Sequence, residues 1–297
     1  MTASTTTEGA ARPVLPSATR MGPVVLAVRD VDRMEAFYRS VIGLEPLARD
    51  GRGVALGTRD GVPLLVLSAR PDFKPASPRA PGLFHTAFLL PSRADLGRFV
   101  RHFADAGVRV GGASDHLVSE ALYLDDPEGN GIEVYRDRPR SEWPLTDTGI
   151  RMATVALDIR SVVAAGDEAG GGWSGAPEGT RVGHVHLKVS DLDASLSFYR
   201  DRLGFDLMAT YPGACFVAAG GYHHHLGLNV WASRGGVRAP DTLGLMAATL
   251  VVPGSDDGFR DRIGAETGPA TVTDPSGNRI VVLDQAPDPR AALALAG

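Results

Sequence analysis

Apolar positions along this chain follow two rhythms. Short runs such as Val24-Val-Leu-Ala-Val28, Val62-Pro-Leu-Leu-Val-Leu67 and Ile132-Glu-Val-Tyr135 have the length and β-branched content of strands. Between such runs, Met34, Phe37, Tyr38, Val41 and Ile42 recur at the spacing of one helix face, as do Leu96, Phe99, Val100, Phe103 and Ala104. Asp30 or Asp32 is placed to cap the first helix by accepting from the free amides of its first turn. Gly43 is placed to end that helix in the left-handed conformation. The proline after Val62 suits an edge strand or a strand start, and Asp126-Pro-Glu-Gly-Asn-Gly131 is a turn with Pro and Gly set to reverse the chain.

The pattern repeats. Val28-Arg-Asp-Val-Asp-Arg-Met-Glu-Ala-Phe-Tyr-Arg-Ser-Val-Ile-Gly-Leu44 returns without a gap as Val189-Ser-Asp-Leu-Asp-Ala-Ser-Leu-Ser-Phe-Tyr-Arg-Asp-Arg-Leu-Gly-Phe205. Gly82-Leu-Phe-His-Thr-Ala-Phe-Leu-Leu-Pro91 returns as Gly244-Leu-Met-Ala-Ala-Thr-Leu-Val-Val-Pro253, and Asp126-Pro-Glu-Gly-Asn as Asp274-Pro-Ser-Gly-Asn. Internal repeats of this kind mark repeated supersecondary units. Four modules result, about Gly22–Arg70, Gly82–Asp137, Gly183–Ser233 and Leu243–Gln285, each expected to run strand, helix, three strands. In chain order, residues 1–20 are expected to form a disordered or loosely docked tail. Residues 21–137 hold the first module pair, 138–180 a linker, 181–286 the second pair and 287–297 a C-terminal tail. Within the linker, Gly170–Gly172 and Pro177 suit a flexible connector. Met152–Ala165 is more apolar and is expected to dock as a strand or a helix.

A βαβββ unit repeated four times, with Phe-Tyr-Arg and Gly-Leu after the first strand and Asp-Pro-x-Gly-Asn before the last, resembles the vicinal oxygen chelate superfamily. The resemblance implies an α+β fold in which four modules form two incompletely closed, barrel-like sheets. One stretch is more specific. His116, then Leu122-Tyr123, Asp126-Pro127-Glu-Gly129 and Glu133 are spaced as in the signature of the extradiol dioxygenases. Tyr222-His-His-His-Leu-Gly-Leu-Asn229 and Asp137-Arg-Pro-Arg-Ser-Glu-Trp143 add to a likeness with catechol 2,3-dioxygenases of the two-domain bacterial type.

The resemblance also directs where metal ligands should lie: on the first and last strands of facing modules. Module two supplies His85 and Glu133, and module three His184. Module one has Pro23 at the position of His184, while module four has Ala247 and Val281 at those of His85 and Glu133. A full set therefore forms only if module two faces module three, leaving modules one and four as a metal-free pair. Two histidines and one carboxylate make a facial triad suited to Fe(II), and Mn(II) fits the same donors. His186 lies two residues on, on the same strand face, and competes with His184. From the same resemblance, Tyr123 is expected to hydrogen-bond a substrate oxygen, His116 to stand near the substrate hydroxyls, and a histidine among His223, His224 and His225 to act as acid–base. The resemblance favours His224, through the pattern of paired histidines followed by a strand of Leu, small and apolar residues, and alternation along a strand would turn it to the face opposite His223 and His225. Phe84, Tyr123, Trp143 and Trp231 are candidates to line the pocket.

The implied activity is oxygen-dependent ring opening of a catechol-type small molecule beside its hydroxyls. The alternatives are a metal-dependent isomerase of glyoxalase type and a non-catalytic binding or resistance protein of the same fold, since fold does not fix function. Composition adds exclusions. The chain has 297 residues, 43% of them apolar, enough for two ordinary domains with a sizeable core. A net charge of −5 gives no reason to expect nucleic acid or an anionic membrane as partner. Cys215 is the only cysteine, so neither an intrachain disulfide nor a cysteine metal cluster can form, which fits a reducing cytoplasm. Residues 1–20 lack the apolar stretch of a secretory signal. Self-association is common for such folds.

Overall fold

The structure is a computed structural model and describes residues 12–297, apart from 106, 108, 148, 256, 266 and 267. Module one comprises β1 (Arg20–Met21), β2 (Val24–Val28), α1 (Val31–Phe37), β3 (Glu45–Asp50), β4 (Gly53–Gly57) and β5 (Pro63–Ala69). Module two comprises β6 (Gly82–Leu89), α2 (Arg93–Asp105), β7 (Gly112–Asp115), β8 (Ser119–Asp125) and β9 (Gly131–Asp137). The linker forms a small hairpin, β10 (Leu145–Thr146) and β11 (Gly149–Ile150), then β12 (Val155–Ala156) and α3 (Ile159–Ala169). Module three comprises β13 (Arg181–Lys188), α4 (Leu192–Ser197), β14 (Asp206–Tyr211), β15 (Ala214–Ala218) and β16 (Leu226–Asn229). Module four comprises β17 (Gly244–Val251), α5 (Asp257–Ile263), β18 (Ala270–Thr273) and β19 (Arg279–Leu283), followed by α6 (Pro289–Ala294).

Module four departs from the expected plan. Among the described residues it has two strands after its helix, where the repeat predicts three. The chain is shorter there, with Asp274 21 positions after Pro253 against 35 from Pro91 to Asp126.

Local chemistry sets the repeated helices. The Asp30 side chain caps α1 by accepting from the Arg33 amide, and Asp191 caps α4 by accepting from that of Ala194. Each helix ends in a π-helical turn, Tyr38–Ile42 or Phe198–Arg202, and Gly43 closes the first at φ 79°.

The four modules pair as two and three, one and four. One sheet runs β12-β7-β8-β9-β6-β13-β16-β15-β14, and the other β18-β19-β17-β2-β5-β4-β3 with β1 beside β17. Antiparallel pairing of β6 with β13 fuses modules two and three, and pairing of β17 with β2 fuses modules one and four. Chain order couples the modules differently. Tyr38 of module one donates to Asp126 of module two at 3.0 Å, and Tyr199 of module three to Asp274 of module four at 3.0 Å. Each aspartate is buried and also accepts from backbone amides of its own turn, Glu128 and Asn130 or Ser276 and Asn278. The Phe-Tyr-Arg and Asp-Pro motifs are thus the two halves of one latch, made twice.

Alternation along the strands divides each sheet into two faces. Val24, Leu26, Val28 and Phe88 join the helices' Met34, Leu96 and Phe99 in one large core. The opposite face of the sheet from modules one and four holds Val25, Ala55, Val66, Ala247 and Val281, and there Ala292 and Leu293 of α6, with Ala296 just after it, pack against them. The segment expected as a C-terminal tail therefore fills this half-barrel.

The apolar stretch in the linker forms both a short strand and a helix. β12 pairs with β7, and α3 crosses α2 so closely that a Cβ on Gly97 would stand 2.3 Å from the Val162 carbonyl oxygen. Trp173 of the connector packs on Phe99. Of the expected N-terminal tail, residues 1–11 lie outside the described residues. Beyond them Leu15 is buried and its amide donates to the Gly204 carbonyl. Among the described residues no helix is long and apolar enough to cross a membrane.

The α6 contact should be measurable. Leu293→Ala removes a buried side chain from that face and is expected to cost about 2–3 kcal/mol, read as a lower urea midpoint with an unchanged slope.

Candidate metal centre

A single row of residues crosses the sheet of modules two and three. Tyr123 on β8 lies opposite Glu133 on β9, Glu133 beside Ala87 on β6, and Ala87 opposite His184 on β13. Residues opposite one another share a face, so Glu133 and His184 rise on either side of a residue with almost no side chain. His85 is two positions before Ala87, on the same face. The three groups meet there. Glu133 Oε2 is 3.0 Å from His85 Nε2 and 3.2 Å from His184 Nε2, and the two nitrogens are 3.3 Å apart. All three side chains are buried.

They form the floor of a cavity of ≈ 290 Å³, whose wall includes His116, Tyr123 and His224. His116 Nδ1 is 2.8 Å from the Ala153 carbonyl oxygen, which fixes the proton on that nitrogen; its Nε2 accepts from the Tyr123 hydroxyl at 2.6 Å. Burial, then the charge of Glu133, pushes the Tyr123 hydroxyl well above the ordinary phenol range, so it stays protonated.

The three consecutive histidines have three different environments, in a loop just before β16 rather than in the strand itself. His224 reaches the cavity, its ring centroid 4.0 Å from that of His184. His225 turns away and accepts from the Ala219 amide. His223 Nε2 is 2.7 Å from Asp137 Oδ1, and its Nδ1 is 2.7 Å from His224 Nδ1. With the His223 proton on Nε2, its Nδ1 accepts from His224 Nδ1–H, and the bare nitrogen of His224 is Nε2. Tyr222 also donates to Asp137, at 3.0 Å.

Other expected residues are placed as follows. His186 is buried beside His85, ring centroids 5.0 Å apart, but is outside the triad. Phe84 and Trp231 line the cavity. Trp143 does not; it packs on His223 and donates to the Arg138 carbonyl. Sequence reasoning missed Asp137, which closes the histidine chain, and Met152–Thr154 of the linker, which wall the cavity. Asp137 stands in the quoted motif, but nothing in its spacing signals contact with residue 223. Of the eight histidines, His102 alone lies apart, its Nε2 beside the Ser40 carbonyl.

The profile of the Glyoxalase/Bleomycin resistance protein/Dioxygenase superfamily matches residues 20–134 and 181–250. The chain belongs to this superfamily. Within it the chain falls with the dioxygenases. It is 44% identical over 246 residues to the catechol-2,3-dioxygenase of Bacillus subtilis (strain 168), covering 80% of this chain and 85% of that one. It is 28% identical over 116 residues to biphenyl-2,3-diol 1,2-dioxygenase 2 of Rhodococcus globerulus, 38% of this chain and 60% of that one. The fold is shared with glyoxalase I of Zea mays, at a TM-score of 0.54 and 16% identity, covering 94% of this chain and 95% of that one.

The donor set of this superfamily member suits a first-row divalent ion. Donors on one face of a six-coordinate ion, with bonds of about 2.1 Å, stand about 3.0 Å apart, and those of a tetrahedral ion about 3.4 Å. The triangle here, 3.0 to 3.3 Å on a side, lies within that range. Its charge state is also right. Burial opposes ionisation of Glu133, but His184 and His85 outweigh it and hold the carboxyl well below its usual range. Burial lowers the His184 pKa to about 4, leaving a neutral ring with a lone pair to give.

Glu133→Ala should therefore remove metal rather than merely weaken it. Loaded anaerobically with Fe(II) and desalted, the native chain is expected to retain about one ion and the variant less than about a tenth of that, measured by elemental analysis.

Proposed function

We propose that the protein is an iron-dependent extradiol dioxygenase. It uses O2 to open the ring of catechol or a substituted catechol beside the two hydroxyls, giving a muconic semialdehyde-type product. The convergence of His85, Glu133 and His184 in one cavity with His116, Tyr123 and His224 carries this reading. A ring with two adjacent hydroxyls needs both a chelated metal and protonic groups at its oxygens, and the cavity offers both. The relative in Bacillus subtilis adds support, and Mn(II) would suit the same donors. The triad contains one carboxylate, which speaks against an isomerase site built on two. A lone buried cysteine, its thiol pushed up by burial to about 12, accords with a cytoplasmic setting.

His85, His184 and Glu133 would hold the ion, which when bound would let the diol and O2 meet on one centre and pass electron density between them. Around it the chain's own groups handle protons. The Tyr123 hydroxyl donates to His116 and so turns its lone pairs to the cavity, where a diol hydroxyl can donate to them. Burial, then the neighbouring histidines, holds His224 well below the usual imidazole range. It is therefore neutral, and its free nitrogen can accept a hydrogen bond from a diol hydroxyl. Asp137 and His223 are positioning residues: they fix which nitrogen of His224 is free.

Oxygen uptake by the iron-loaded protein with catechol, accompanied by a yellow ring-fission product, tests the activity; tight iron binding with no uptake on any diol would overturn it. His224→Phe should keep its iron while kcat falls by about 10²- to 10⁴-fold. Asp137→Asn should keep its iron and KM but lower kcat by about tenfold and shift the pH–rate profile. A merely structural role would change expression and stability with no change in that profile.

A further inference from the structure

Beyond the triad the cavity is an aromatic passage to solvent. Phe84, His186, Phe216 and Trp231 pack on one another, with ring centroids 5.0 Å apart for Phe84 and His186, 5.4 Å for Phe84 and Trp231, and 5.8 Å for His186 and Phe216. Phe84, Tyr211 and Trp231 are 41%, 48% and 49% exposed, and they are the exposed aromatic side chains among the described residues. All three line this cavity. Exposed apolar groups gathered at one opening mark a contact surface for a ligand rather than chance exposure.

Charge points the same way. The lining side chains include no lysine and no arginine, and Glu133 is their only carboxylate. Arg151, exposed and next in the chain to Met152 of the wall, is not among the lining groups, and Lys188 and Arg238 line a neighbouring cleft that shares Phe84 with it. A carboxylate carried into the aromatic passage would lose its water without gaining a cationic partner, and an uncompensated buried charge is strongly unfavourable. Size leaves room for more than a bare ring: a cavity of about 150 Å³ holds benzene, and this one is ≈ 290 Å³.

We infer that the site selects diols whose ring carries an uncharged alkyl or aryl group, seated between Phe84 and Trp231, and that it rejects ring carboxylates. This inference rests on the dioxygenase reading for its chemistry but not for its binding preference.

The test uses the full-length, iron-loaded protein with 4-tert-butylcatechol, 3-phenylcatechol, catechol and 3,4-dihydroxybenzoate. Equilibrium binding by titration calorimetry without oxygen is measured first, then kcat/KM from oxygen uptake. At least one apolar-substituted diol should bind tenfold or more tighter than the carboxylate and turn over with a kcat/KM at least a hundredfold higher. Trp231→Arg should narrow the binding gap at least tenfold by supplying the missing cation. Equal or tighter binding of the carboxylate by the native protein overturns the inference, as does a Trp231→Arg gap that does not change. Absence of turnover on all four compounds, with the binding preference intact, would refute the activity and leave the selectivity standing.

Discussion

The site depends on one pairing of strands: β6 against β13, antiparallel, with Ala87 opposite His184. The two strands are far apart in the chain and belong to different module pairs. Their hydrogen bonds place His184 across Ala87 from Glu133, and the small alanine leaves the space in which carboxylate and imidazoles approach to 3.2 Å or less. Because the side-chain period of a strand is two, a slip of one residue would turn His184 to the opposite face. Register is therefore the quantity on which ligand geometry rests, and the irregularities between Val182 and His184 and between His186 and Leu187 occur within it.

The register is held by more than its own ladder. Sheets join modules two to three and one to four, while the tyrosine–aspartate latches join one to two and three to four. Each module is thus bound to two neighbours by different means. Burial and the nearby aspartate push the Tyr38 and Tyr199 hydroxyls well above the phenol range, so they remain donors. Around the cavity the same economy recurs at two histidines, whose protons are fixed by an acceptor, the Ala153 carbonyl for His116 and Asp137 for His223.

Much of this was legible in the sequence, for a physical reason. Repetition exposed the modules, and comparing the same position in all four showed where His85, Glu133 and His184 stand and where Pro23, Ala247 and Val281 replace them. Periodicity located the helices because their apolar faces are regular. What stayed hidden depends on contacts between segments with no pattern of their own. Nothing in residues 152–154 announces a cavity wall, and nothing in residues 287–297 announces that Leu293 fills a half-barrel. The third strand of module four was expected from its siblings, but the shorter stretch from Pro253 to Asp274 carries only two after the helix. Alternation does not apply to the three histidines, since they precede the strand, and the relation of His223 to Asp137 spans 86 positions.

The helix α6 gives this duplicated architecture a division of labour. Two equivalent concavities were available, and the end of the chain occupies one of them. With that concavity occupied, the apolar faces of modules one and four pack against the helix, and the buried His–Glu–His cluster belongs to the other sheet. The filled concavity is also a reserve. It already has the strand scaffold of a reaction chamber, with Ala247 and Val281 where ligands would go, and is closed by a segment of six residues at the chain's end. An engineer who wanted a second, independently tuned centre in one polypeptide would start by displacing that helix.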